Sequence, residues 1–157
     1  MKFYKIIATG FGSGYSPLAP GTAGSLAGIT VLYLFNGVML NHFSPAQVYI
    51  AGFVAIVLAV IAGYFSIRKV QTVWEHDSPK IVIDEIAGVW IAAFAIPFKW
   101  QYYLYAFVLF RLFDITKPFF IKRIDNMKSS MSVMLDDIVA GIYSALLLQL
   151  LIKLDVL

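Results

Sequence analysis

Carboxylates at the edges of long apolar runs are the residues in this sequence best suited to chemistry. Five of them frame three such runs, namely Asp84 with Glu85, Asp114, and Asp136 with Asp137. An ionised carboxylate in hydrocarbon is costly unless it meets a cation, a hydrogen-bond donor or water. Because Mg²⁺ prefers oxygen ligands and usually keeps waters and a phosphate in its shell, we predict that these side chains gather around a divalent metal ion. Helix capping or snorkelling to a membrane surface is a sufficient interpretation for Asp125 and Asp155.

Other polar residues near these carboxylates are candidates for binding a phosphate. His76 suits a ligand, an acid or an interfacial side chain, and Asp77 beside it can orient it or bind the same ion. Lys117 follows Asp114 by three residues and is the better candidate for a phosphate, whereas Arg111 is placed to pair with Asp114. Contact with anionic lipid headgroups would explain the basic loop around Lys117 equally well.

Residues 10–25 are rich in Gly, Pro and Ser, which favour turns and loops over a continuous helix. Thr22 or Ser25 could cap the helix that follows, and backbone N–H groups there could meet a phosphate. The segment lacks the Gly-Lys-Ser/Thr of a nucleotide-binding loop. By itself it equally fits a flexible joint.

Residue types that are missing narrow the reaction. The sequence contains no cysteine, no Asp-x-Asp pair and only two histidines, His42 and His76, which we expect on opposite membrane faces. These absences exclude cysteine phosphatases, phosphatases of the haloacid-dehalogenase type and a two-histidine mechanism. Metal-assisted attack on phosphorus remains, either by water directly or through an aspartyl-phosphate.

The elements that must position these residues are membrane helices. Hydrophobic residues make up 61% of the 157, charged residues only 13%, and the mean hydropathy is +0.82, which is outside the range of soluble domains. Apolar runs separated by polar joints predict an all-α integral membrane bundle of four to five transmembrane helices in one domain, residues 1–157. The predicted helical runs are 26–40, 48–67, 81–97, 103–113 and 133–152.

Lys and Arg fall mainly on one side of this predicted topology. The N-terminus, residues 68–80 and residues 111–132 share a side and carry ten of the twelve basic residues, whereas Lys99 and Lys153 lie opposite. Because basic residues favour the cytoplasmic face, that side is predicted to be cytoplasmic. The acidic residues were not used in this assignment, yet all five predicted metal ligands fall on the same face.

Two of the acidic helix starts share a pattern of small residues. Asp84 and Asp137 are each followed, about one turn later, by an Ala-Gly pair ending at Gly88 and Gly141. Small residues let membrane helices approach closely. Close approach here would bring the carboxylates within reach of one ion.

Four segments of the chain, taken together, resemble the phosphatidylglycerophosphatase A family. They are FGSGYSPLAPGTAGSLAG (11–28), EHDSPKIVIDEIAGVW (75–90), FRLFDITKPFFIKRID (110–125) and MLDDIVAGI (134–142). The resemblance implies a Mg²⁺-dependent enzyme of the bacterial cytoplasmic (inner) membrane, multi-pass, with its active site facing the cytoplasm. It also implies the reaction, hydrolysis of the phospholipid phosphatidylglycerophosphate to phosphatidylglycerol and phosphate.

The resemblance also assigns roles to residues. It places Gly21, Thr22, Gly24, Ser25, Lys117 and Arg111 around the substrate phosphate, and adds His76 and Asp77 to the catalytic set. Asp84, Asp114 and Asp137 are our first choices as Mg²⁺ ligands. Glu85 and Asp136 are further ligands or a base for water.

Two other classes of protein compete with this interpretation. A membrane ion carrier or channel subunit would also use intramembrane carboxylates, but it predicts polar residues across the bilayer, and the far halves of the runs are apolar apart from Gln149. A CDP-alcohol phosphotransferase would need a motif of spaced aspartates that this sequence lacks. We expect a phospholipid and the membrane as partners and no nucleic acid. A homo-oligomer is compatible with so small a bundle.

Overall fold

The computed structural model describes residues 1–76, 78–127 and 129–157. Asp77, a predicted catalytic residue, and Lys128, one of the basic residues counted above, lie outside the described residues. The described chain is all-helical, without strands, as predicted. Its elements are α1 (Lys2–Ala8), a 3₁₀ turn (Ser13–Tyr15), α2 (Pro20–Met39), α3 (Pro45–Val70), α4 (Ile83–Ala92), α5 (Trp100–Thr116), α6 (Phe120–Asp125) and α7 (Ser130–Lys153).

Within the described residues, three helices are long and apolar enough to cross a membrane. These are α2, α3 and α7, with 20, 26 and 24 residues. At 1.5 Å per residue, each covers the roughly 30 Å of a bilayer's hydrocarbon core. The five predicted helical runs correspond to α2, α3, α4, α5 and α7. The short helices α1 and α6 were not predicted, because six or seven residues show too little periodicity.

Helix α2 begins earlier than expected, and neither Thr22 nor Ser25 caps it. Its first residue is Pro20, and Ala19 occupies the N-cap without a side-chain hydrogen bond. Proline is favoured there because its fixed φ suits the first helical turn and its missing N–H costs nothing. The Ser25 hydroxyl instead donates to the carbonyl of Gly21 at 2.8 Å.

Helix α4 is shorter than the predicted run 81–97. It ends at Ala92, and Ala95 adopts a left-handed conformation with φ of 56°. Pro97 disfavours helical backbone only at Ile96, so the chain leaves the helix before the proline acts, in the turn that includes Ala95. With 10 residues, α4 rises only about 15 Å. The Gln149 side chain of α7 donates to the freed carbonyl of Phe94 at 3.2 Å.

Helix α4 lies at the centre and packs against α2, α3, α5 and α7. Small residues allow the close approach of α2: a Cβ on Gly24 would lie 2.7 Å from Val82, and one on Gly28 would lie 3.2 Å from Ile86. Trp90 of α4 donates its indole N–H to the carbonyl of Gly28 at 2.8 Å. The central helix, with Asp84 and Glu85 in its first turn, is therefore held from several sides.

Candidate active site

The crossing of α4 and α7 determines where the carboxylates meet. A Cβ on Gly141 would lie 2.4 Å from the carbonyl oxygen of Gly88, and a Cβ on Gly88 would lie 2.8 Å from the carbonyl oxygen of Asp137. Only glycine at both positions permits this backbone contact. The close approach expected from the two Ala-Gly pairs is therefore present, and it lies one turn from Asp84 and Asp137.

Three carboxylates converge beside this crossing. One oxygen from each of Asp84, Glu85 and Asp137 lies within 4.8 Å of the other two. Asp84 and Asp137 are only 5% and 4% exposed. Glu85 Oε2 and Asp137 Oδ1 are buried without a hydrogen-bond partner in the described structure. Buried carboxylate oxygens with unused lone pairs are costly unless a cation binds them, so the donor set fits a hard divalent ion.

Arg111 connects the start of α2 with the end of α5. Its Nη1 lies 2.6 Å from Asp114 Oδ2 and donates to the Ser25 hydroxyl at 3.4 Å. Gly21 lies against the same group, since a Cβ there would meet Glu85 Oε1 at 2.3 Å and Arg111 Nη1 at 3.4 Å. Arg111 Nε is buried without a partner among the described residues. The guanidinium therefore retains a donor beside the carboxylates.

Lys117 forms a second cationic centre, at the turn between α5 and α6. Its Nζ lies 2.6 Å from Asp125 Oδ1 and 2.6 Å from Asp136 Oδ2. Although burial lowers the pKa of Lys117, the two carboxylates outweigh it and raise that pKa above its ordinary value. Lys117 is therefore positively charged at neutral pH. Asp136 Oδ1, in contrast, is buried without a hydrogen-bond partner in the described structure.

A polar cavity of about 540 Å³ collects most of these groups. Seven of the predicted site residues line it, namely Asp84, Glu85, Asp114, Lys117, Asp136, Asp137 and the exposed His76. Asp77 lies outside the described residues. The cavity is large enough for a phosphorylated headgroup, and its wall combines acidic groups with a lysine.

The Gly-rich segment contributes less to the cavity than the sequence suggested. Gly21, Thr22, Gly24 and Ser25 are absent from its lining. Gly24 packs on Val82, and the backbone N–H groups of residues 10–16 bond to carbonyls within the same segment and α1. Gly21 and Ser25 nevertheless approach the cavity wall through Glu85 and Arg111, as described above.

Several residues at the site were not predicted from the sequence. Asp125 was interpreted as a cap or interfacial residue, but it pairs with Lys117 and lines the cavity. This pairing depends on a chain reversal in which Lys117 and Phe119 both have positive φ, 43° and 54°. Gln71 donates to the carbonyl of His76 at 2.6 Å and accepts a bond from Ser130. Pro118 hinted at the reversal, but no pattern marked Gln71.

Comparison with known proteins identifies a family and several relatives of this chain. The family profile for Phosphatidylglycerophosphatase A matches residues 6–152. A Bacteroides thetaiotaomicron protein provisionally named a phosphatidylinositol-3-phosphatase is 42% identical over 91% of this chain and 89% of its own. Two proteins named phosphatidylglycerophosphatase A, from Escherichia coli and Haemophilus influenzae, are each 40% identical over 90% of this chain and over 79% and 83% of their own lengths. No solved structure matches the chain.

Proposed function

We propose that this chain, which belongs to the phosphatidylglycerophosphatase A family, hydrolyses phosphatidylglycerophosphate with Mg²⁺ at the cavity between α4, α5 and α7. The observation that carries this proposal is the convergence of one oxygen each from Asp84, Glu85 and Asp137 within 4.8 Å. Among the described residues, Glu85 Oε2 and Asp137 Oδ1 are also buried without a hydrogen-bond partner. The products are phosphatidylglycerol and inorganic phosphate.

We assign the metal ion to Asp84, Glu85 and Asp137, with Asp114 and Asp136 as further ligands. These last two line the same cavity but already have cationic partners, Arg111 and Lys117. When bound, Mg²⁺ would supply positive charge against the phosphoryl oxygens. Arg111 and Lys117 would add to that positive charge, so that a phosphate monoester meets positive charge within an acidic cavity.

The remaining roles follow from reach and chemistry. Lys117, which lines the cavity, would hold phosphoryl oxygens through Nζ, and so would the unused donor of Arg111, which does not line the cavity but pairs with Asp114 at its wall. At the start of α2, Ser25 bonds to Arg111 and Gly21 lies against it, while Thr22 and Gly24 complete the same turn. Water attacks phosphorus while Glu85 or Asp136 accepts its proton, and the bond from phosphorus to the glycerol oxygen breaks. Attack by an aspartate, followed by hydrolysis of the aspartyl-phosphate, is the second route. His76, which lines the cavity, would donate a proton to the leaving glycerol oxygen, and its neighbour in sequence, Asp77, is proposed as the group that orients it.

The membrane arrangement that supports this chemistry is a bundle in the bacterial cytoplasmic membrane. We propose five crossings, formed by α2, α3, α4 with residues 93–99, α5 and α7. The starts of α4 and α7 and the end of α5 then share the face that carries most Lys and Arg, which places the cavity at the cytoplasmic surface. The lipid's phosphate can reach the cavity while its acyl chains stay in the bilayer. Association of two copies through lipid-facing helices is compatible with this arrangement, and crosslinking in membranes tests it.

The decisive experiment measures phosphate release from phosphatidylglycerophosphate in mixed micelles. We expect release that needs Mg²⁺, stops with EDTA, and falls at least a hundredfold in Asp84→Asn. Asp155→Asn, at an exposed position beyond α7, is the matched control and should behave as wild type. Phosphatidylinositol 3-phosphate, suggested by the name of the Bacteroides relative, serves as the competing substrate. Release that survives both EDTA and Asp84→Asn would contradict the proposed site.

A further inference from the structure

An apolar groove runs between α2 and α5 on the lipid-facing side of the bundle. It has a volume of about 170 Å³ and is lined by Leu26, Ile29, Thr30, Tyr33, Trp100, Tyr103, Leu104 and Phe107. Several of these side chains are strongly exposed, including Leu26 at 54% and Leu104 at 48%. In the membrane, this surface meets hydrocarbon chains rather than water.

The helical register continues this groove into the active site. On α5, Phe107, Arg111 and Asp114 follow each other at spacings of four and three residues, so they share one face of the helix. On α2, the groove residue Leu26 is adjacent to Ser25, whose hydroxyl accepts the bond from Arg111. Arg111 therefore stands where the groove ends and the carboxylate cluster begins.

We propose that this groove seats an acyl chain of the phospholipid substrate, and that the lipid reaches the active site laterally past Arg111. The proposal rests on the proposed function and adds the place where the hydrocarbon part of the substrate binds. A lipid with a negatively charged head and an apolar tail complements a groove that is apolar along its length and cationic at one end.

Trp100 is the groove residue on α5 farthest from the active site, and it is eleven residues from Arg111, which corresponds to a rise of about 16 Å. An acyl chain whose phosphate lies at Arg111 would therefore extend along the groove toward Trp100 and the opposite face of the membrane.

A second lipid-facing groove, between α3 and α7, also borders the site, since its residues Leu135 and Ile138 adjoin Asp136 and Asp137, but no cation is among the described residues that line it. Its lining is entirely apolar and includes Ile61, Leu135 and Met134. Met134 is only 2% exposed, and its Cε lies 2.4 Å from where a Cβ on Gly63 would be. Packed apolar side chains, rather than a cation, thus bound that groove on its inner side. It provides the matched control.

The test fills one groove at a time with tryptophan. The variants are Thr30→Trp and Leu104→Trp in the proposed groove and Ile61→Trp in the control groove, all at lipid-facing positions. Each is assayed with long-chain phosphatidylglycerophosphate in mixed micelles and with water-soluble glycerophosphoglycerol phosphate, which lacks acyl chains. Tails gain little hydrophobic free energy on leaving lipid, so the effect comes from positioning of the phosphate.

We expect kcat/KM for the long-chain substrate to fall at least tenfold in the first two variants, as misplacement of a reacting group does. The soluble substrate should be cleaved at the wild-type rate by all three, and Ile61→Trp should match wild type on both. Equal losses on both substrates, an equal loss in Ile61→Trp, or no loss in either groove variant would overturn the proposal. Wild-type protein that cleaves neither substrate would overturn the proposed function itself.

A binding measurement does not depend on turnover of the soluble substrate. Wild-type protein is photolabelled with phosphatidylglycerophosphate that carries a diazirine on one acyl chain, and the labelled peptides are mapped. We expect label on α2 and α5, with a loss in Thr30→Trp and no loss in Ile61→Trp. Label confined to α3 and α7 would overturn the proposal.

Discussion

Replacement of Gly141 by alanine tests whether the crossing of α4 and α7 sets the geometry of the site. The new Cβ would lie 2.4 Å from the carbonyl oxygen of Gly88. Carbon–oxygen contacts between helices normally lie at about 3.3–3.6 Å. The Cβ is fixed to the backbone of α7 and the oxygen belongs to the backbone of α4, so no side-chain rotation relieves the contact. The helices must therefore separate by about 1 Å.

This separation reaches the proposed ligands directly. Asp84 on α4 and Asp137 on α7 lie one turn from the contact and move with their helices. Mg²⁺ requires oxygen distances of about 2.0–2.1 Å with little tolerance, and a misplacement of about 1 Å can cost about a hundredfold in rate. We therefore expect Gly141→Ala to lower kcat/KM by about a hundredfold and to weaken the apparent affinity for Mg²⁺. Overpacking should also lower stability by roughly 1–3 kcal/mol.

The assay is phosphate release in mixed micelles as a function of Mg²⁺ concentration, alongside thermal unfolding. Gly52→Ala is the control, because a Cβ at Gly52 meets nothing within 4 Å. It should leave kcat/KM and Mg²⁺ dependence unchanged. A folded Gly141→Ala protein with wild-type kcat/KM and Mg²⁺ affinity would refute the reasoning.

Three other substitutions have defined outcomes. Lys117→Met removes the cation from Asp125 and Asp136 and should lower phosphate release at least tenfold. The raised pKa of Lys117 means that its stabilisation is complete below the ordinary lysine pKa and is lost only as the pH rises through the raised value. The difference in Tm between wild type and Lys117→Met should therefore persist from about pH 7 to about pH 9, and a difference that disappears in that window would contradict the pairing. Gln149→Leu removes a donor from the Phe94 carbonyl and should cost about 0.6 kcal/mol in unfolding experiments, the average for such bonds in membranes; no change would show that the bond is not stabilising. Gln71→Ala releases the His76 carbonyl and should lower kcat more than it raises KM in steady-state assays, whereas a Gln71→Glu protein that keeps only the Ser130 contact should recover little activity.

The sequence alone predicted the helical class and a cluster of five carboxylates, with Asp84, Asp114 and Asp137 as first choices for the metal. All five line one cavity, but the three that lie within 4.8 Å of one another are Asp84, Glu85 and Asp137, and Asp114 pairs with Arg111. Long apolar runs indicate helices that lie in lipid, and an ionised carboxylate within such a run is costly in free energy unless it has a partner. The Ala-Gly pairs also indicated the close crossing, because small side chains have few other uses at a buried helix contact. The roles of the individual site residues remain predictions.

The exact ends of helices and the contacts between residues distant in sequence could not be predicted from the sequence. The early end of α4 depends on how the chain turns through Ala95, and the pairing of Asp125 with Lys117 depends on positive φ at two non-glycine residues. The start of α2 at Pro20 was missed because Thr22 and Ser25 are stronger capping signals than Ala19. The start of α2 follows the local preference of Pro20 for the first helical turn, whereas the pairing of Asp125 with Lys117 joins residues of separate elements.

The brevity of α4 has a consequence for biogenesis. A ten-residue helix that begins with two acidic residues is a poor substrate for independent insertion into a bilayer, since each carboxylate opposes partitioning. Its stabilising contacts include Gly141 and Gln149 of α7, which the ribosome produces after α4. During synthesis this segment therefore lacks these contacts until α7 emerges. Stalled or truncated chains that lack α7 should expose the segment to membrane proteases.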